Sequence, residues 1–283
     1  MTETKEKYEY VISELRNYLK KNNFSQVTLG LSGGIDSALV ATISVDAVGP
    51  ENVHVLLMPS QYTQEINIKD AEVLSSNLHI KYSIINIEAL FQSFKNSLSD
   101  LFKNTEEDTT EENLQSRIRG VMLMAFSNKF KKLVLATANR SEIMTGYCTL
   151  YGDTCGGYAP ISCFFKTEVY ELAYWRNENI PSNSIYMKNN IIHKSILEKA
   201  PTAELRHNQK DSDSLPEYDV LDKVLYLILD ENYNYDQLIN IGYEKQLINR
   251  IEKLIETSHY KRNQLPPGPM KYLNSINQHI IKS

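Results

Sequence analysis

The sequence predicts an α/β fold, a doubly wound parallel sheet with helices on both faces. Three observations predict it. Four short apolar runs rich in β-branched residues, "QVTLGLS" (26–32), "NVHVLLMPS" (52–60), "KYSIINIE" (81–88) and "KLVLATAN" (132–139), read as buried parallel strands. Helix-like segments at 36–48, 64–79, 89–102 and 111–130 alternate with them over short joints, as right-handed crossovers require. A glycine-rich turn follows the first run and opens a helix.

Taken in order, Tyr8, Val11, Ile12, Leu15, Tyr18 and Leu19 recur at helical spacing, so residues 4–21 are expected to form an amphipathic helix. The alternating core occupies about residues 25–180. Within its later part "YGDTCGGYAPIS" reads as loop and 166–179 as helix. The polar stretch 198–218 is long and mostly irregular; a loop of that length in a compact domain is usually functional, and it is expected to be a mobile lid. Helices at 219–230 and 243–257 and a proline-punctuated tail, "YKRNQLPPGPMKY", complete one expected domain over residues 1–283.

Composition sets outer bounds. The 283 residues, 42 % hydrophobic and 23 % charged, suit a globular enzyme. A formal net charge of -5 offers no electrostatic case for a nucleic-acid partner, whose binding rests on lysine and arginine. No stretch approaches 18 consecutive apolar residues and the N-terminus has no signal-like apolar segment, so a cytoplasmic protein without a membrane partner is expected. Cys148, Cys155 and Cys163 make no C-x-x-C pair and read as reduced thiols.

Ligands of such sheets bind beyond the carboxyl ends of the strands. The site should therefore be built from "LSGGIDS", "MPSQYT" and "TANRSE", each of which follows a strand. The first of these fits two readings. Gly30, Ser32 and Gly34 spell the G-x-S-x-G elbow of a hydrolase, and six histidines are available to partner the serine. Against that, Gly33 and Gly34 in tandem before Asp36 and Ser37 suit an anion at a helix start. A carboxylate at Asp36 would repel phosphate without a divalent cation between them, which implies Mg²⁺. No lysine stands where a Walker loop needs one.

The segment from Ser32 to Ser37, S-G-G-I-D-S, resembles the signature of the PP-loop ATP pyrophosphatases. Further stretches, "ENLQSRIRG" (112–120), "ATANRSE" (136–142), "GYCTLYGDTCGGYAPIS" (146–162), "FKTEVYELA" (165–173), "KAPTAELR" (199–206) and "QKDSDSLPEYDVLD" (209–222), together resemble NAD synthetase. The resemblance spans about residues 30–262 and implies an adenine nucleotide alpha hydrolase-like fold. It implies ATP as co-substrate, with deamido-NAD adenylated and then amidated, and AMP and pyrophosphate released. By the same likeness Gly30, Leu31, Ser32, Gly33, Gly34, Ile35, Asp36 and Ser37 surround the ATP phosphates, and Thr137, Lys166 and Thr202 complete the nucleotide contacts. Met58, which opens "MPSQYT" at the same sheet end, joins that ATP-binding set. Asp36 and Glu142 match the magnesium carboxylates and, with Lys166, the expected catalytic group; Arg117, Tyr260 and Lys261 match contacts to deamido-NAD. A homodimer is implied as well.

The chain departs from the small free-standing synthetases at Leu150 and Gly157, where those carry a lysine and an aspartate that contact substrate. Its motifs look more like the synthetase half of the glutamine-dependent enzymes. With the ATP loop starting at residue 30, free ammonia is the expected nitrogen donor unless a separate glutaminase delivers it. Alternatives are nicotinate mononucleotide as the acid, a PP-loop tRNA-modifying enzyme, which would need a basic face or an appended RNA-binding domain, and a non-catalytic nucleotide module, which would not need the magnesium carboxylates.

Overall fold

A computed structural model describes residues 2–269 of the chain. The expected tail beyond residue 269 lies outside the described residues. Helix α1 (Thr2–Lys21) is amphipathic as its spacing predicts, burying Tyr8, Val11, Ile12, Leu15 and Leu19. Strand β1 (Val27–Gly30), helix α2 (Ile35–Val48), strand β2 (Val53–Leu57), helix α3 (Glu65–Leu78) and strand β3 (Lys81–Ile84) follow. Helices α4 (Glu88–Leu98) and α5 (Thr109–Phe130) then lead to β4 (Leu133–Val134).

The sheet is parallel throughout, in the order β3-β2-β1-β4. Because side chains alternate across a strand, one strand feeds both faces. Val53, Val55 and Leu57 join Leu133 and Leu135 in a core shared with α1, α2 and α3. Leu56 and Val134 point the other way, into a smaller core with Phe91 of α4 and Ile118 of α5. Helix α2 is enclosed on all sides: every residue except Asp36 and Val48 is buried. Such a helix shows no apolar stripe, since all its faces meet protein.

Two strands differ from expectation. The 81–88 run is not a buried strand but the sheet edge, with Tyr82 41 % and Ile84 50 % exposed, because among the described residues no strand lies beyond β3. The 132–139 run pairs regularly only at Leu133 and Val134. Beyond them Leu135 N still donates to Thr28 O (2.9 Å), but Ala136 N turns to Tyr158 O (2.9 Å). That second segment approaches closely at Gly156, where a Cβ would meet Ala136 N at 2.8 Å. The chain is thereby bent out of the sheet into a site loop.

Helices α6 (Arg140–Thr145), α7 (Lys166–Glu178) and α8 (Lys194–Glu198) follow. Helix α7 lies beside α1 and α2, and a buried bidentate pair holds it there: Arg176 Nε and Nη2 donate to Asp46 of α2 at 2.7 and 2.9 Å. Helices α9 (Tyr218–Leu229), α10 (Tyr235–Asn240), α11 (Lys245–Thr257) and α12 (His259–Arg262) end the described chain. Of these, α10 and α12 are short and carry too few turns to show a period. Residues of α9, α10 and α11 bury their own apolar cluster against Ile143, Met144 and Phe165. The three cysteines are free thiols.

Candidate active site

The strand order reverses at β1: the chain runs outward through β2 and β3 and then returns to its other side as β4. Loops leaving β1 and β4 therefore diverge and open a crevice, the ligand position of doubly wound sheets. A cavity sits there, lined by Gly30, Leu31, Ser32, Gly34, Ile35, Asp36 and Ser37 after β1 and by Thr137 and Glu142 after β4. Met58 after β2, Lys166 from α7 and Thr202 from the 198–218 segment complete its wall.

The β1 loop is shaped for close approach. Gly33 adopts φ +82°, and a Cβ there would meet Asn67 O at 2.2 Å, so only glycine fits. Ser32 Oγ lies 3.1 Å from Ser37 Oγ and accepts from Gly34 N at 3.2 Å. Among the described residues no histidine is bonded to Ser32, which removes the triad that a hydrolase elbow needs. No side chain caps α2, so its first N–H groups face the crevice end of a 14-residue helix, a favourable place for an anion.

Three charges meet beyond that loop. Lys166 Nζ is bonded to Asp36 Oδ2 and lies 3.4 Å from Glu142 Oε1, with its side chain 3 % exposed. Asn139 ties the two acids together: its Nδ2 donates to Asp36 Oδ1 at 2.8 Å, and its Oδ1 accepts from Glu142 N at 3.0 Å. The second bond is half of a capping box that starts α6, completed by Asn139 N donating to Glu142 Oε2. Lys166 is set from behind, where Ser141 Oγ accepts from Lys166 N at 2.9 Å and Asp222 of α9 accepts from Thr167 N at 2.8 Å. Tyr218 lays its ring under the ammonium, 5.4 Å from centroid to Nζ.

Burial and the neighbouring Asp36 carboxylate push Glu142 up to about 8, against the pull of Lys166. Burial works against the charge of Lys166, yet Asp36 and Glu142 carry it above the usual lysine range. The cluster is therefore short of positive charge. Two hard carboxylate donors, one of them held partly protonated by that shortage, fit a Mg²⁺ ion whose other ligands come from phosphate and water. Among the described residues no three acidic, histidine or cysteine side chains converge tightly enough to hold a metal alone.

The segment 198–218 is folded over the cavity. Gln115 Nε2 donates to Leu205 O (2.9 Å), Arg206 pairs with Glu112 (3.2 Å), and Thr202 Oγ1 donates to Gln209 O (2.6 Å). Ala200, Pro201, Ala203, Glu204 and Leu205 line the cavity beside Thr202.

The remaining expected residues lie elsewhere. Arg117 is exposed and donates to Leu150 O at 3.3 Å, outside the cavity wall. Arg119, two residues on, lines the cavity and donates to Met58 O at 2.9 Å; burial lowers it to about 10. Tyr260 is 58 % exposed, and Lys261 Nζ donates to Gly146 O and Cys148 O, both at 2.7 Å, closing the end of α6. Leu150 is buried and Gly157 is packed against β4, where a Cβ would meet Leu133 Cδ1 at 2.5 Å. Asn139, Arg119, Asp211 and Asp222 lie within the stretches that carry the family resemblance but were given no individual role in the sequence reading. Asn139 alone also carried a local structural signal, the N-x-x-E spacing of a capping box.

Comparison with known proteins agrees with this geometry. The family described as NAD synthase matches residues 7–265. A glutamine-dependent NAD(+) synthetase of Rhodobacter capsulatus is 44 % identical over 262 residues, covering 93 % of this chain and 48 % of that protein. The chain spans about half the length of the curated relatives it matches. Two solved structures cover nearly equal lengths of both chains. An NMN synthetase from Francisella tularensis has a TM-score of 0.76 at 26 % identity, covering 92 % of this chain and 95 % of that one. An ammonia-dependent NAD synthetase from Campylobacter jejuni, in complex with nitrate, has a TM-score of 0.71 at 27 % identity over 93 % and 97 %. With its doubly wound sheet, its glycine loop and a match over nearly all its length, the chain belongs to the NAD synthase family.

Proposed function

We propose that this chain amidates deamido-NAD to NAD with ammonia, consuming ATP and releasing AMP and pyrophosphate through an acyl adenylate. The observation that carries the reading is the meeting of Asp36, Glu142 and Lys166 at the strand-order reversal, directly beyond the Gly33 turn. Amide groups at the start of α2, with Ser32 and Ser37, would hold the pyrophosphate portion of ATP. The nicotinate carboxylate attacks the α-phosphorus, and the bond to pyrophosphate breaks. Lys166 offsets the charge that grows on the leaving group, a contribution usually worth several kcal/mol when the donor is fixed in place. Asp36 and Glu142 would hold Mg²⁺, which when bound neutralises phosphate oxygens. Thr137, Met58 and Thr202 flank the nucleotide. The 198–218 segment keeps water from the adenylate until ammonia attacks the acyl carbon and AMP departs. No covalent enzyme intermediate is needed.

Arg117, Tyr260 and Lys261, which stand outside the cavity wall, belong to this reading as contacts to the far end of deamido-NAD. A homodimer, a cytoplasmic location and ammonia supplied free or by a separate glutaminase are also parts of it. Among the described residues no helix is long and apolar enough to cross a membrane. A second reading, nicotinate mononucleotide as the acid, is favoured by the likeness to an NMN synthetase and by Leu150 and Gly157 standing away from the cavity.

The test incubates the purified chain with ATP, Mg²⁺, ammonium or glutamine, and either deamido-NAD or nicotinate mononucleotide. NAD, AMP and pyrophosphate in equal amounts from deamido-NAD and ammonium are expected. A faster rate on the mononucleotide would favour the second reading, and ADP with phosphate would overturn both.

A further inference from the structure

The start of α7, where Lys166 stands, is capped by other helices. Phe165 at its N-cap has no side-chain oxygen, so the first N–H groups of the helix need outside acceptors. Ser141 Oγ of α6 accepts from Lys166 N at 2.9 Å, and Asp222 Oδ2 of α9 accepts from Thr167 N at 2.8 Å. Asp222 Oδ1 in turn accepts from the Ser141 hydroxyl at 2.5 Å, so both acceptors belong to one relay that ends on α9. Asp222 is 4 % exposed, and among the described residues it takes part in no ion pair. Its charge is met by these donors and by the positive end of a 13-residue helix. A neutral oxygen would also cap that helix. What the carboxylate adds is firmness, since charge-assisted hydrogen bonds are about twice as strong as neutral ones.

Tyr218 stands one turn before Asp222 on α9, so the two side chains share a face. Its ring lies 5.4 Å from Lys166 Nζ, and its hydroxyl is held by Asp211 Oδ2 at 2.9 Å. Neither Tyr218, Asp222 nor Ser141 lines the cavity. They reach the site only through Lys166, the relay at the root of its side chain and the ring at the tip. Lysine carries a point charge on a long flexible stem, so its aim has to be set by its surroundings. Asp36 and Glu142 are the carboxylates given to the metal ion, which leaves α9 as the part of the surroundings with no other task.

We propose that Asp222 and Tyr218 are positioning residues for Lys166, an inference that rests on the adenylation reading above. Asp222, directly and through Ser141, fixes the backbone from which the lysine stem starts. The Tyr218 ring fixes where the ammonium ends. Lys166 is thereby aimed at the leaving pyrophosphate before the nucleotide arrives, and no reorganisation is needed as charge develops there.

The experiment uses the full chain and reads pyrophosphate–ATP exchange without ammonium, with deamido-NAD or nicotinate mononucleotide as the acid. Asp222→Asn, Ser141→Ala, Tyr218→Leu and Tyr218→Phe are each made in the wild-type background and in Lys166→Met. In the wild-type background Asp222→Asn should lower the exchange kcat about tenfold or more, with the KM for ATP within about threefold of wild type. In Lys166→Met the same change should cause no further loss, because nothing is left to aim. Ser141→Ala repeats the comparison should Asp222→Asn fail to fold. Tyr218→Leu should follow the same pattern, and Tyr218→Phe, which keeps the ring, should recover most of its loss. Equal fractional losses in the two backgrounds, a loss carried by the ATP KM, or no loss at all overturns the positioning role and leaves adenylation intact. Equal impairment of Tyr218→Phe and Tyr218→Leu overturns the part given to the ring. A wild-type chain with no exchange on either acid overturns the adenylation reading and the proposal with it.

Discussion

Replacing Glu142 with glutamine should change how the ligand-free protein responds to pH. In the folded chain Glu142 is raised from an ordinary 4.5 to about 8 by burial and by Asp36. The folded state thus keeps a proton that the unfolded chain has released, and stability falls as pH climbs from about 4.5 to 8. At about 1.4 kcal/mol per pH unit the full interval corresponds to about 5 kcal/mol. The side chain is 17 % exposed and Lys166 is close by, so screening reduces the expected effect to about 2 kcal/mol. Glutamine keeps the shape, cannot ionise, and removes this slope. Urea unfolding without nucleotide or Mg²⁺ at pH 5, 6.5 and about 8 measures it. Asp153, Asp211 and Asp222 are also raised by burial, so the informative quantity is the difference between the two proteins. Wild type should lose about 2 kcal/mol more than Glu142→Gln across the range. Parallel curves would refute the claim that Glu142 is starved of positive charge.

Other substitutions probe the frame around the site. Arg176→Met leaves Asp46 buried without its partner and should cost about 3–5 kcal/mol, while adding Asp46→Leu should restore much of it, both read by urea unfolding. Gly33→Ala puts a Cβ against Asn67 O and forces a positive φ, so kcat/KM for ATP should fall by more than about tenfold, with a loss of about 1–3 kcal/mol in stability. Lys166→Met should lower kcat by about 10²–10³, with circular dichroism unchanged and the KM for ATP moving far less.

Much of the fold is legible in the sequence because it follows from local pattern. The Gly33-Gly34 pair, the apolar β1 and β2 runs and the amphipathic α1 each declare themselves within a few residues. What is lost depends on partners distant in sequence. Tyr82 and Ile84 look as apolar as Val53 and Val55, and only the strand order makes them an edge. Lys166 begins "KTEVYELA" like any surface lysine at a helix start, and its paired, buried state depends on Asp36 and Glu142, which come from the first turns of two other helices. Arg117 and Arg119 are the hardest pair. Two residues along a helix rotate by about 200°, so they face opposite ways, and no local feature says which side α5 turns to the cavity. Asp222 was equally silent, because it acts on Ser141 and Thr167, each at least 50 positions away.

The most direct test of the proposed adenylating centre is pyrophosphate–ATP exchange in the absence of ammonium. Labelled pyrophosphate should enter ATP only when Mg²⁺ and deamido-NAD are both present, and Asp36→Ala should abolish the exchange in a protein whose circular dichroism is unchanged. Exchange that persists in Asp36→Ala, or that proceeds without the acid substrate, would contradict the assignment of Asp36, Glu142 and Lys166 to carboxylate adenylation.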